Sequence, residues 1–345
     1  MQQMLARSTR LGRLARSTTS GGQFELFLVA SVASLLLIRF FLAWMGFPQV
    51  GGGGLHIAHL LWGGLLMLLA ILLLLGFLGG RIKATAALLG GIGFGTFIDE
   101  LGKFITSDNN YFFEPTVALI YIIFILLFLG LRAIRSPRFS PRDRLASALE
   151  ESIDLMLSEP SAQRKAEILR LLEASDSQNP LAQALIAGLQ QLPGHSQQGP
   201  GLFERLKGTL RQRSRRLVAS PLFVKALVVL LVVNALLSGA VIILLVVVLN
   251  TLPTRYPISF IQVCPLAFSL LADLLIVVGV VWLPRSRLHA YHCFKGAMLV
   301  SIFFVQVFAF YGEQFAALGS LVFNLLVLSA LNYMIAQQRL RQTAI

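Results

Sequence analysis

Long apolar runs alternate with short polar breaks along most of the chain. The runs fall at about 24–46, 55–79, 84–104, 113–131, 222–249, 258–283, 287–311 and 313–335. Each reaches the ~18 residues that read as a membrane-crossing helix. Apolar residues do not alternate at every second position, which argues against a transmembrane barrel. Hydrocarbon offers no partner to a backbone amide, so such runs are expected to be helical. The expected fold is all-α: a polytopic membrane helix bundle of about eight transmembrane helices, with a small helical cytoplasmic insert.

The insert is the one long polar stretch, 132–220. Within it Ser140-Pro141, followed by Asp143, reads as a helix start: a capping hydroxyl, proline at the first helical position, then an acid at the positive end of the dipole. Asn179-Pro180 repeats the signal. Leu155, Ile168, Leu169, Leu171 and Leu172 give the insert apolar faces that would pack together or lie on the membrane. Residues 193–201 read as a linker, and the basic run from Arg205 to Arg216 suits anionic lipid. The expected organisation is a basic tail 1–21, a first four-helix membrane unit 22–131, the insert 132–220, a second four-helix unit 221–336, and a tail 337–345.

Composition agrees with the pattern. The 345 residues are 56% hydrophobic and 13% charged, about half the charge of a soluble domain, with a mean hydropathy of +0.75. Net charge is +13, and its distribution carries more than its size. With the N-terminus inside, only Arg39, Lys103 and Arg255 of the 29 Lys and Arg fall in the outer half. The positive-inside rule therefore predicts a multi-pass membrane protein with both termini cytoplasmic. The basic surplus is accounted for by topology and anionic headgroups, with no need of nucleic acid. The four arginines of residues 1–21 resemble a transit peptide in composition, but a positive-inside tail reads the same way and is preferred. Cys264 and Cys293 fall near opposite ends of neighbouring runs, which predicts no disulfide.

Against this apolar background the stretch Phe94-Gly-Thr-Phe-Ile-Asp99-Glu100-Leu-Gly-Lys103-Phe104 stands out. Charges at membrane depth normally face a bundle interior and mark a site. At 1.5 Å per residue, Asp99 and Glu100 lie about 6–8 Å inside the outer end of the third run, and Arg39 about 10 Å inside that of the first. His56 and His59 open the second run from the same side, on one face. The expected pocket combines Arg39, His56, His59, Asp99, Glu100, Lys103, Asp108 and Glu313. Three arrangements compete for it. One is a structural set of ion pairs, Arg39 with Glu100 and Asp99 with Lys103. Another is a divalent-metal site on His56, His59, Asp99 and Glu100. The last is an anion site on Arg39 and Lys103, helped by the amides of Gly51–Gly54.

A deeper set lies toward the cytoplasm. Asp273 and Lys295 sit about 15 and 12 Å from the inner ends of their runs, matching depths that predict an intramembrane pair. His289 and His292 lie below. Asn234, Gln306 and Asn324 are expected to join helices through their amides rather than to conduct protons. Gly91-x-x-x-Gly95 reads as a helix-packing motif. The glycines at 90–93 lack the Lys-Ser/Thr of a P-loop, and no Gly-x-Ser-x-Gly elbow is present. Phe97-Ile-Asp-Glu-Leu-Gly and Phe310-Tyr-Gly-Glu-Gln-Phe stand at corresponding points of the two membrane units. This correspondence suggests a 4+4 parallel repeat.

The stretches His56-Ile-Ala-His59-Leu-Leu-Trp62-Gly63 and Phe97-Ile-Asp99-Glu100-Leu-Gly102-Lys103-Phe104-Ile-Thr106-Ser-Asp108-Asn-Asn-Tyr111-Phe-Phe together resemble an uncharacterised family of bacterial multi-pass membrane proteins. The resemblance covers roughly the first 130 residues, with a weaker echo at Glu313-Gln314-Phe315. It implies an inner-membrane location and brings no activity with it. The paired histidines and acids loosely resemble membrane hydrolases of the alkaline-ceramidase type, whose spacing and span order differ from these. The leading expectation is therefore binding or transport of a small ion or polar solute. The alternatives are a metal-dependent membrane hydrolase acting on a lipid or envelope substrate, and a structural or signalling scaffold.

Overall fold

A computed structural model of the chain describes residues 17, 20–46, 59–106, 113, 115–134, 139–157, 162–176, 178–192, 220–251 and 260–343. Among them every regular element is a helix. The chain divides into two compact units, one built from residues 1–113 and 126–199, the other from 114–125 and 200–345.

The first unit holds α1 (Ser20–Trp44), α2 (His59–Gly76), α3 (Gly80–Ile98) and the short α4 (Leu101–Ile105). Helix α5 (Pro115–Ile134) is divided between the units, and the insert contributes α6 (Pro141–Leu157), α7 (Ala162–Glu173) and α8 (Pro180–Gln191). Six stretches among the described residues are long and apolar enough to cross a membrane: Ser20–Trp44, His59–Gly76, Pro115–Ala133, Leu222–Val248, Val263–Trp282 and Arg287–Leu340. Their outward residues, such as Leu37, Phe40 and Leu75, are bare apolar side chains, as lipid-facing positions are.

Helix α3 departs from the expectation of a third apolar run. Arg81 and Lys83, in the break between the runs expected at 55–79 and 84–104, occupy its first turn. Its buried positions are small: Ala86, Gly90, Gly91, Gly93, Gly95 and Thr96. It is wedged between α1 and α2. A Cβ at Gly91 would lie 2.5 Å from the Phe27 carbonyl oxygen, and one at Gly95 2.2 Å from that of Ser31. On the other side, Gly63 and Gly93 press against each other's backbone, a Cβ on either falling within 2.7 Å of the other's carbonyl oxygen. Backbones this close are held by van der Waals packing and interhelical hydrogen bonds. Ser34 supplies the latter, bonding Thr96 at 3.0 Å and the Ile92 carbonyl at 3.1 Å.

The insert helices form as their caps predict. The Ser140 hydroxyl accepts from the Asp143 amide while Asp143 accepts from the Ser140 amide, and Asn179 accepts from the Leu181 amide. Ala148, Leu155, Ile168, Leu172, Ala182 and Leu189 make their common core, so these apolar faces pack on one another.

The second unit holds α9 (Pro221–Thr251), α10 (Phe260–Trp282), α11 (Arg287–Val300), a π turn (Ser301–Val305), α12 (Gln306–Glu313), a 3₁₀ turn (Gln314–Ala317) and α13 (Leu318–Thr343). The long apolar stretch Arg287–Leu340 folds back at Gln314, which has φ 50°. Its arms then pack together, Ala290, Phe294 and Ala297 against Val327, Leu331 and Ile335. Within the π turn the Ile302 carbonyl accepts from the Tyr121 hydroxyl of α5 at 2.7 Å. The Gln306 amide joins elements by donating to the Ala317 carbonyl and the Ser320 hydroxyl, the structural use expected of membrane amides.

Candidate functional site

Register along the small-residue seams assembles the site. On α1, Phe27, Ser31, Leu35 and Arg39 recur every fourth residue and share a face. Gly91 meets Phe27, and Gly95 meets Ser31 and Leu35, so α1 and α3 advance together in parallel. Long side chains lean back toward the helix N-terminus, and Arg39 thereby returns to Asp99, four residues beyond Gly95. On α2, His59 stands one turn before Gly63, whose face lies against Gly93 and Phe97. That antiparallel seam delivers the imidazole to the same place.

Helix α3 stops at Ile98, and Asp99-Glu100 form a turn before α4. This break decides the pairing. Arg39 Nε donates to Asp99 Oδ1, and its Nη2 donates to the Asp99 carbonyl at 2.9 Å. Lys103 Nζ reaches Glu100 Oε1 at 3.3 Å. The expected pairs, Arg39 with Glu100 and Asp99 with Lys103, are thus exchanged. The turn at 99–100 removes the continuous helical register that would have set residue 99 above residue 103.

His59 lies between the two acids, with Nε2 3.0 Å from Asp99 Oδ2 and Nδ1 2.8 Å from Glu100 Oε1. A neutral imidazole has one N–H and one lone pair, whereas ionised carboxylates only accept. Of the two contacts, the one to Asp99 is a hydrogen bond and the one to Glu100 is an ion-pair approach. Asp99 and Glu100 are fully buried, while the side chains of His59 and Lys103 remain 26% and 24% exposed. One buried atom is left over: among the described residues Glu100 Oε2 has no hydrogen-bond partner.

The structure brings Arg39, His59, Asp99, Glu100 and Lys103 together. His56 and Asp108 lie outside the described residues, as do Gly51–Gly54. Glu313 belongs to the other unit, exposed at the end of α12. Among the described residues no group of three or more His, Cys, Asp or Glu side chains is arranged to hold a metal ion, and both ring nitrogens of His59 already face carboxylates.

The expected Asp273–Lys295 pair is not formed. Asp273 faces the Ser238 hydroxyl of α9, and among the described residues its buried Oδ2 has no hydrogen-bond partner. Lys295 points instead into a cavity with His292 and Arg339. Equal depth was not enough, because the two residues are carried on faces that do not meet. His289 is occupied by the start of α11, with Nδ1 2.8 Å from the Ser286 hydroxyl and its ring beside Trp282. Cys264 and Cys293 are both free.

Sequence reasoning missed the contact at the other end of α3. Asp154 of the insert accepts from the Gly80 amide at 2.7 Å, and Glu150 pairs with Lys83. Gly79, at φ 108°, admits the carboxylate, since a Cβ there would lie 2.6 Å from Asp154 Oδ1. The Gly79-Gly80 pair and the acids of α6 were the available signal. No family model, curated protein or solved structure matches this chain.

Proposed function

We propose that the chain is an integral membrane protein of eight crossings with both termini cytoplasmic, and that the Arg39–His59–Asp99–Glu100–Lys103 cluster binds a small ion or polar solute, with transport as the outcome of binding. The six apolar stretches support the membrane assignment. Counting the two arms of Arg287–Leu340 separately and adding α3 makes eight.

Glu100 Oε2 carries the binding reading. Leaving a buried acceptor unsatisfied costs about 1–3 kcal/mol, more for a charged group. A cation or an N–H or O–H group of a solute recovers that energy by docking there. The partly exposed His59 and Lys103 mark the side from which it enters, and Lys103 takes an acceptor on the same solute. Nothing among the described residues favours the hydrolase reading over this one.

The test is thermal unfolding of detergent-purified protein with sodium, potassium, ammonium and glycine, beside Glu100→Gln. A ligand at 100 times its Kd adds about 2.7 kcal/mol of stability. The expected result is a probe that raises the wild-type midpoint and leaves the variant unmoved. Equal responses of the two proteins, or none from any probe, would reject the site.

A further inference from the structure

A second polar site lies in the other unit, between α11 and α13, at the end where Arg285, Arg287 and the C-terminal helix lie. The cavity there has a volume of about 580 Å³ and is lined by His292, Lys295, Asn332 and Arg339, with Ile335 and Leu340 among its apolar walls. Arg339 Nη2 lies 3.5 Å from His292 Nε2, so the two side chains line the cavity side by side. Lys295 is half-buried and makes no ion pair among the described residues.

Among the described residues of this unit the acids are Asp273 and Glu313, and neither pairs with Lys295. Asp273 faces Ser238. Glu313 ends the same helical stretch as Lys295, 18 residues away, or about 27 Å at helical rise. An amine held within an apolar helix is costly without a partner. The cheapest partner is an anion brought from outside.

We infer that Lys295 and Arg339 bind a phosphate group in this cavity, as the headgroup phosphate of an anionic phospholipid. A basic pocket between helices at a charged membrane face suits such a headgroup, and Arg recognises phosphate through its planar fork. The apolar wall at Ile335 and Leu340, the latter 71% exposed, gives an acyl chain a continuous path from headgroup to hydrocarbon. A soluble phosphate would use the same cations and leave that wall bare.

Native mass spectrometry of delipidated full-length protein in detergent tests the site. Phosphatidylglycerol, phosphatidylcholine and inorganic phosphate are titrated separately into wild type, Lys295→Gln/Arg339→Gln and Arg285→Gln. The expected result is preference for phosphatidylglycerol, weakened about fivefold for each lost cavity cation, with Arg285→Gln unchanged within about twofold. If inorganic phosphate instead shows the dependence and the two lipids bind alike, the phosphate chemistry stands and the lipid source is overturned. Equal weakening by Arg285→Gln, or none in the double variant, overturns the site. Lys295→Met, which replaces the amine by an apolar side chain of similar length, provides the same reading should the double variant fail to fold.

Discussion

Asp99 is the residue on which the first site turns, because one fully buried carboxylate satisfies both a guanidinium and an imidazole. Removing one partner of a buried pair leaves an uncompensated charge, whereas replacing both by apolar groups is often neutral. Asp99→Ala is expected to lower stability by about 3 kcal/mol, read from thermal unfolding in detergent. Arg39→Met/Asp99→Ala should recover much of that loss; a double variant less stable than Asp99→Ala alone would show that Arg39 is held by something else. On the insert, burial and then the nearby Asp154 and Glu167 raise the Glu151 carboxyl above its ordinary value of 4.5. The folded state therefore holds this proton more tightly than the unfolded chain does. That increment is fully present below pH 4.5 and is lost as pH rises through the raised value. Glu151→Gln should raise the unfolding midpoint at pH 7 by roughly 1–2 °C, and the gain should vanish at pH 4. A gain that persists there would remove the electrostatic cause.

Helix α3 shows how composition substitutes for hydrophobicity at the level of an element. Its seams are built from glycines, and the site at its end depends on how closely α1 and α2 approach. A Cβ at Gly95 meets the Ser31 carbonyl oxygen at 2.2 Å, while one at Gly64 meets nothing within 4 Å. Gly95→Ala should therefore cost about 1–3 kcal/mol through forced separation of α1 from α3, and it should weaken any ligand response that depends on Glu100. Gly64→Ala, on an open face, should be neutral or slightly stabilising, since alanine is the better helix former. Matched midpoints for the two variants would contradict the tight seam. The same helix is anchored at its start by Asp154 and Glu150, so the insert is tied to the helix that ends in the candidate site.

For the whole molecule, charge counting predicts the orientation, which would decide the face that each site addresses. Fluorescent-protein reporters, which mature in the cytoplasm, are expected to be bright at both the N- and C-termini. Alkaline phosphatase fused after residue 46, which needs an oxidising compartment, is expected to be active. A dark terminal reporter, or an inactive phosphatase fusion, would invert or break the topology and move the Glu100 site to the other side.

The sequence alone determined the membrane class, the capped helices of the polar stretch, and most of the charged side chains that gather around Asp99. Each of these rests on local information: run length sets a membrane crossing, a cap needs only neighbouring residues, and a charge in an apolar run is conspicuous wherever the run is packed. The tertiary structure decided what depends on register and direction. The turn at Asp99-Glu100 exchanged the expected ion pairs, and the facing of α10 and α11 separated Asp273 from Lys295 despite their matching depth. The close approach of three helices made α3 a buried wedge, where a count of apolar residues expected an ordinary crossing. Depth along a helix can be read from residue number, but azimuth between helices is set by which small residues let two backbones touch. That choice is made only when the helices pack.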